Sequence, residues 1–409
     1  MSKRSSSRVA SSAAKRTKEE EEKRLKFDLS WNYVGDGSPA ALIFLDGPSA
    51  AANAKKVAAF DLDSTVIKTA SGKKFPTSTS DWQFFDDCVP TKLRSLHKQD
   101  TRIVIFTNQS EIEKKKVTVN DLCQKFESII NELDIPVQLF MSTGYNQYRK
   151  PSTAMWDYFV SHCCPNVSID VSNSFFVGDA AGRPKNWKPG VSKDFSASDR
   201  MFAANIGLQY YTPEEFFLGE SKVTDFEWRR PQPSTFMQKH SETMKDFQRQ
   251  TQEMVLLIGR PASGKSTFSR RHLQPHGYIN ISRDTLTTQS KCLQAVDEAL
   301  KNGKSVVVDN TNPSQSARSE YIKIAKKSKI PVRCLVFTTG RELSDHLNYY
   351  RMYQTEGKER RIPDVAFRVY EKYYKEPELT EGITKIEHVN FIPQFDSKRD
   401  EDLFKKWAM

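Results

Sequence analysis

Two apolar runs in this sequence stop abruptly at residues that carry chemistry. Val57-Ala58-Ala59-Phe60 ends at Asp61-Leu62-Asp63, and Val255-Leu256-Leu257-Ile258 ends at Gly259-Arg260-Pro261-Ala262-Ser263-Gly264-Lys265-Ser266-Thr267. Short runs without polar alternation read as strands buried on both faces, as in parallel sheets covered by helices. Such sheets bind ligands just past the C-terminal strand ends, where these polar residues fall. The pattern recurs in each half. Ile103–Phe106 leads to Thr107-Asn108, and Phe175-Phe176-Val177 leads to Gly178-Asp179, with helical periodicity at Val119–Leu133 and Thr153–His162. Val306–Val308 leads to Asp309, and Arg333–Phe337 reads as a further strand. Ala41–Leu45 reads as an additional strand at a sheet edge. The expected fold is α/β twice over: a doubly wound parallel-sheet domain followed by a second α/β domain on a glycine-rich loop.

A chain of 409 residues suits two domains, each able to bury its own core. Residues 226–250 are polar, with Pro231 and Pro233, and read as a linker between domains at 31–225 and 251–409. Residues 1–30 read as a disordered basic tail. The formal net charge is +11, and residues 1–26 alone carry nine Lys/Arg against four Glu. That balance permits a polyanionic partner without demonstrating one. The pairs Lys3-Arg4 and Lys15-Arg16 have the look of a bipartite nuclear-import signal, so a nuclear location is expected. No apolar run is long enough to span a bilayer, and no membrane partner is expected. Six cysteines, none in a C-x-x-C pair, read as reduced thiols of an intracellular protein.

Asp61 and Asp63 lie two residues apart just past a strand. One carboxylate can attack phosphorus to form an aspartyl-phosphate. The other can protonate the leaving oxygen and then activate water. Carboxylates repel an incoming phosphate, so a cation is required; Mg²⁺ on Asp61, Asp63 and Asp179 is expected. Thr107 offers a hydroxyl to phosphate oxygens, and Lys150 in Arg149-Lys150-Pro151 a positive charge. This ordered series resembles the haloacid dehalogenase-like phosphatases, over the whole first domain. Two departures stand out. Ser64 occupies a position where many members have Gly. The late motif Gly178-Asp179-Ala180-Ala181-Gly182-Arg183 has no second acid close by, leaving Asp194 or Asp199 to supply it.

In the second half, Gly259-x₄-Gly264-Lys265-Ser266 follows a strand and precedes a helix expected at Thr267–His272, the context of a P-loop. Gly259, Ser263, Gly264 and Thr267 would frame the backbone N–H groups that cradle ATP. Lys265 would reach its β- and γ-phosphates, and Ser266 would hold Mg²⁺. Asp284, after the short run Tyr278–Ile281, is the candidate base, or else a helix cap. Asp309 fits a Walker-B-like metal ligand, and Asp309–Pro313 equally fits a turn. The basic segment Gly357–Pro363 reads as a lid. Arg351 is the first choice for an arginine on the transferred phosphoryl group, with Arg360 or Arg361 as the alternative.

The pairing, the order and the stretches Ser80-Asp81-Trp82, Ile105–Gln109, Tyr148–Pro151, Asp194-Phe195-Ser196 and Asp309–Pro313 resemble the polynucleotide kinase 3′-phosphatase family, from about Trp31 onward. The resemblance implies a DNA end-processing repair enzyme. Asp61 would be nucleophile, Asp63 acid/base, Thr107 and Lys150 phosphate ligands and Asp179 a metal ligand for 3′-phosphate removal. Lys265, Ser266, Asp284 and Arg351 would serve ATP-dependent 5′-hydroxyl phosphorylation. Implied partners are DNA ends, with repair scaffold or ligase proteins acting on the product. The thirty residues before Trp31 are too few for the forkhead-associated domain of vertebrate members, so recruitment by that route is not expected. The core motifs alone would also suit a fused pair of small-molecule enzymes; the family-specific stretches argue against that. Trp82, Trp156 and Trp187 are candidates for base stacking, or else core residues.

Overall fold

The structure is a computed structural model describing residues 29–46, 53–237, 247 and 249–408. The expectations for residues 1–28 and for most of 238–248 fall outside the described residues. The chain divides into two units between Arg229 and Arg230.

The first unit holds a seven-stranded sheet. Its strands are β1 (Trp31–Val34), β2 (Leu42–Leu45), β3 (Lys56–Phe60), β6 (Thr101–Asn108), β7 (Gln138–Ser142), β8 (Phe175–Val177) and β9 (Gln209–Tyr211). A small hairpin of β4 (Ile67–Lys68) and β5 (Gln83–Phe84) lies apart from it. The order is β1-β2-β7-β6-β3-β8-β9, with β3, β6, β7, β8 and β9 parallel. The apolar runs earn their central places by being buried on both faces. Ala58 and Phe60 join Ile103, Ile105 and the helix Val119–Leu133 on one face. Val57 and Ala59 join Val104, Phe106, Phe140 and Phe202 on the other. The strand order reverses around β3, so the crevice at a topological switch point opens at the residue after Phe60. That residue is Asp61.

The helix Val119–Leu133 begins where Thr118 and Asp121 exchange hydrogen bonds in a capping box, and ends at Asp134 with φ +56°. The helix predicted at Thr153–His162 is α-helical over Ala154–Tyr158 and continues as a wider π turn to Cys163. Two expectations are corrected. Strand β2 is not at the edge: β1 pairs antiparallel outside it. The first unit also runs past residue 225. Glu227 donates its N–H to Gly182 O, and the Arg200 guanidinium lies 3.8 Å from the Phe226 ring, so residues 226–229 belong to the first unit rather than to the linker.

The second unit has five parallel strands, β10 (Met254–Ile258), β11 (Ile279–Ile281), β12 (Val306–Val308), β13 (Val332–Phe337) and β14 (Lys385–Val389). Their order is β11-β12-β10-β13-β14, again with the first strand at the reversal. Met254, Leu256 and Ile258 face one core, Val255 and Leu257 the other. The helix after β10 spans Lys265–His272, starting two residues earlier than the sequence suggests because Gly264, at φ +92°, ends the loop.

Candidate active sites

At the C-terminal end of the first sheet, Asp61 leaves β3 with its N–H bonded to Val177 O. Its carboxylate receives the Lys150 ammonium at 2.6 Å, and the same ammonium reaches Asp199 at 2.8 Å. Lys150 is held by its own backbone. Asn108, at the end of β6, accepts from Lys150 N at 2.9 Å and donates to Lys150 O at 3.3 Å. Thr107, also buried there, accepts a hydrogen bond from Gln109. Asp179 follows β8, where its N–H donates to Thr65 Oγ1 at 3.1 Å.

One carboxylate oxygen each of Asp61, Asp179 and Asp199 lie within 4.8 Å of one another. Burial raises the Asp61 carboxyl, with the Asp199 charge adding and Lys150 opposing. Burial likewise raises Asp179 well above its ordinary value, with Asp61 and Asp199 adding. Burial alone would lower the Lys150 ammonium, but Asp199 and Asp61 outweigh it and hold it above its ordinary value. Three converging hard oxygen donors, two of them reluctant to ionise unaided, suit Mg²⁺.

Of the two acids the sequence left open, Asp199 joins the cluster. Asp194 instead pairs with Arg183 at 2.9 Å and caps the N–H groups of Ala181 and Arg183. Asp63 departs from the expected ligand set. It points outward, 49% exposed, toward Gln109 at 2.7 Å and Lys125 at 3.2 Å, and is not in the three-carboxylate cluster. Ser64, the residue after Asp63, has φ +61°, left-handed backbone that explains a preference for Gly there.

The three tryptophans considered for base stacking are scaffold. Trp156 is in the core, Trp82 packs on Phe84, and Trp187 lies under the Arg183 guanidinium at 3.8 Å. Phe195 (87%) and Phe75 (67%) are the most exposed aromatics among the described residues, ahead of Tyr33, Tyr373 and Tyr145. Phe195 lies within the stretch Asp194-Phe195-Ser196 that carries the family resemblance.

The second unit opens a cleft of about 1400 Å³ over the P-loop. Gly259 is confined: a Cβ there would lie 2.8 Å from Ser263 Oγ and 2.9 Å from Phe337 Cβ. The Lys265 ammonium turns back onto Gly259 O, Arg260 O and Ser263 Oγ at 3.0, 2.6 and 3.2 Å. Burial lowers it to about 8, with the Asp309 and Asp284 carboxylates opposing. Burial raises Asp309, against a hydrogen bond from Ser266, so the two expected metal-binding groups are side by side. Gly264, Ser266, Thr267, Asp284 and Arg351 also line this cleft. Ser282, not Asp284, caps the short helix Arg283–Leu286. Asp309–Pro313 is both site and turn: Asn312, at φ +42°, donates to Leu257 O at 2.8 Å. Arg351 pairs with Glu359 at 2.9 Å, while Arg361 turns to Tyr349 and Asp364. A cleft of this volume with a phosphate loop at its floor accommodates a nucleotide.

The sequence did not reveal Gln109 or Lys125 as site residues. Lys125 left a signal, a lysine on the apolar face formed by Leu122, Phe126 and Ile129.

A haloacid dehalogenase-like phosphatase centre followed by a P-loop kinase cleft defines a bifunctional phosphatase/kinase. Residues 56–217 match the family described as Polynucleotide kinase 3 phosphatase, and residues 254–377 match the AAA domain family. The chain is 38% identical to the bifunctional polynucleotide phosphatase/kinase of Schizosaccharomyces pombe over 338 residues, 82% of this chain and 80% of that one. It is 33% identical to a putative enzyme of the same name from Acanthamoeba polyphaga mimivirus, over 86% of this chain and 87% of that one. The polynucleotide 3′-phosphatase ZDP of Arabidopsis thaliana matches at 34% over 44% of this chain and 26% of its own length. The chain belongs to the bifunctional polynucleotide phosphatase/kinase family.

Proposed function

We propose that this chain prepares broken DNA strands for ligation, removing 3′-phosphates in the first unit and phosphorylating 5′-hydroxyls from ATP in the second. The observation that carries the reading is the Lys150 ammonium shared by Asp61 and Asp199, with Asp179 beside them. It is a centre built to receive phosphate between a cation and a nucleophilic carboxylate. The names of the S. pombe and mimivirus relatives support a polynucleotide substrate.

In the first unit Asp61 attacks phosphorus, the bond to the 3′ oxygen breaks, and that oxygen takes the Asp63 proton. Asp63 then draws a proton from water, whose oxygen attacks phosphorus and releases the Asp61 carboxylate and inorganic phosphate. Mg²⁺ held by Asp61, Asp179 and Asp199 would offset the negative charge the phosphate meets. Lys150 and Thr107 contact the phosphoryl oxygens. Exposed Phe195 and Phe75 present rings to unpaired bases near the end.

In the second unit Asp284 takes the proton of the 5′-hydroxyl, whose oxygen bonds the γ-phosphorus as the bond to the leaving ADP oxygen breaks. Lys265 turns from its backbone partners to the phosphates, and Arg351 exchanges Glu359 for the transferred group. Ser266 and Asp309 would hold Mg²⁺ on the nucleotide. The basic pairs of the tail support action in the nucleus, and the ligatable product implies hand-off to a ligase.

A nicked duplex carrying a 3′-phosphate and a 5′-hydroxyl tests the reading. Wild-type enzyme with Mg²⁺ and ATP should convert both ends. Asp61→Asn should leave only the 5′ reaction and Lys265→Ala only the 3′ reaction. Conversion of neither end by the wild type would refute it.

A further inference from the structure

The helix Val119–Leu133 turns an apolar face to the core through Leu122, Phe126, Ile129, Ile130 and Leu133. Lys125 lies on this helix and is only 5% exposed, a costly position for an ammonium group. Among the described residues Asp63 is its hydrogen-bonding partner, at 3.2 Å on Oδ1. The other Asp63 oxygen accepts from Gln109 Nε2 at 2.7 Å, and that amide also donates to Thr107 Oγ1 at 2.9 Å. The Asp63 carboxylate is thereby gripped at both oxygens by donors rooted in two different elements. A half-exposed carboxylate on a loop would otherwise sample several rotamers. Proton transfer needs it within about 0.5 Å of one geometry.

We infer that Lys125 is a positioning residue: it spends its burial on aiming Asp63 at the leaving 3′ oxygen and later at the attacking water. Gln109 completes the grip and ties it to the phosphate ligand Thr107. The bond changes are those given above, with the proton moving from Asp63 to the 3′ oxygen and then from water to Asp63. Lys125 exchanges no proton and touches no substrate. The inference rests on the phosphatase reading, which Asp61→Asn tests separately: turnover by that variant would sink the reading whatever Lys125 does.

Two substrates isolate the role. A 3′-phosphorylated oligonucleotide has an alkoxide leaving group that needs a proton. p-Nitrophenyl phosphate has a leaving group that does not, so its first step bypasses Asp63, whereas water attack still uses it. Lys125→Met, which keeps the length and packing of the stem, should slow oligonucleotide turnover about 10–100-fold, a part of the effect of a general acid. On p-nitrophenyl phosphate it should give a fast burst stoichiometric with enzyme, then slow turnover. Lys125→Arg should recover most of the loss. In an Asp63→Asn background, Lys125→Met should cost nothing further. Equal losses on both substrates without a burst, no recovery by arginine, or additive losses with Asp63→Asn would each overturn the inference.

Discussion

The Lys150 ammonium lies 2.6 Å from the Asp61 carboxylate with 1% of its side chain exposed. A second carboxylate, Asp199, sits 2.8 Å from the same ammonium. One cation thus offsets two buried acids before any metal or phosphate arrives. Removing it should leave uncompensated charge in the core. Lys150→Met is expected to destabilise the first unit by about 3–5 kcal/mol and to lower 3′-phosphatase turnover at least about 100-fold. Thermal melting and an end assay check this, with 5′-kinase activity unchanged; a stable variant with full phosphatase activity would contradict it.

Asp199 and Asp194 are five residues apart and do different work. Asp199→Asn should raise the Mg²⁺ concentration needed for half-maximal phosphatase activity, because it thins the three-carboxylate cluster. Asp194→Asn should leave that concentration unchanged and lower the melting temperature, since it removes the negative charge that pairs with Arg183. A Mg²⁺ titration of both variants separates the roles, and identical curves would undo the assignment.

His346 lies buried on the helix Arg341–Gln354, its Nε2–H donating to Phe404 O at 2.8 Å. Burial lowers it to about 4, the Phe404 bond opposing. The folded value lies below the unfolded one, so the unfolded chain binds the extra proton between about pH 6.5 and 4. Stability of the second unit is therefore full above pH 6.5 and falls below it, approaching about 1.4 kcal/mol per pH unit from this group. His346→Gln, which keeps an N–H for Phe404, should flatten the loss of melting temperature between pH 6.5 and 5. An unchanged slope would show that other groups control it.

Phe195 and Phe75 are exposed, and the proposed substrate is a polymer with bases that such rings can stack on. Replacing either with Ala removes a stacking surface worth about 1–3 kcal/mol per base. kcat/KM on a 3′-phosphorylated oligonucleotide should fall by about 5- to 100-fold. Turnover of p-nitrophenyl phosphate should not change, since it offers no base to stack. A parallel drop on both substrates would mean the rings support the fold instead.

Much of the molecule was legible because strands buried on both faces are predominantly apolar. Val306–Val308 and Phe175–Val177 coincide with their strands, and Val119–Leu133 with its helix. Edge elements were hidden for the converse reason. β14, Lys385-Ile386-Glu387-His388-Val389, is half exposed and mixes charge with apolar residues, and β1 is exposed at Asn32 and Tyr33. Base-stacking candidates were sought among tryptophans, but large rings gain most by burial, and the most exposed aromatics are the phenylalanines Phe195 and Phe75.

The sequence alone determined the strand ends that carry chemistry and the residue types waiting there, because Asp61, Thr107, Asp179 and the P-loop sit at or just past the ends of apolar strands, with Lys150 in a loop after β7. Only the tertiary structure decided between Asp194 and Asp199, turned Asp63 away from the carboxylate cluster, and set Lys125 and Gln109 against it. Those choices depend on side chains meeting across helices and loops far apart in the chain. No local periodicity encodes which of two nearby aspartates will meet a lysine brought in by another element.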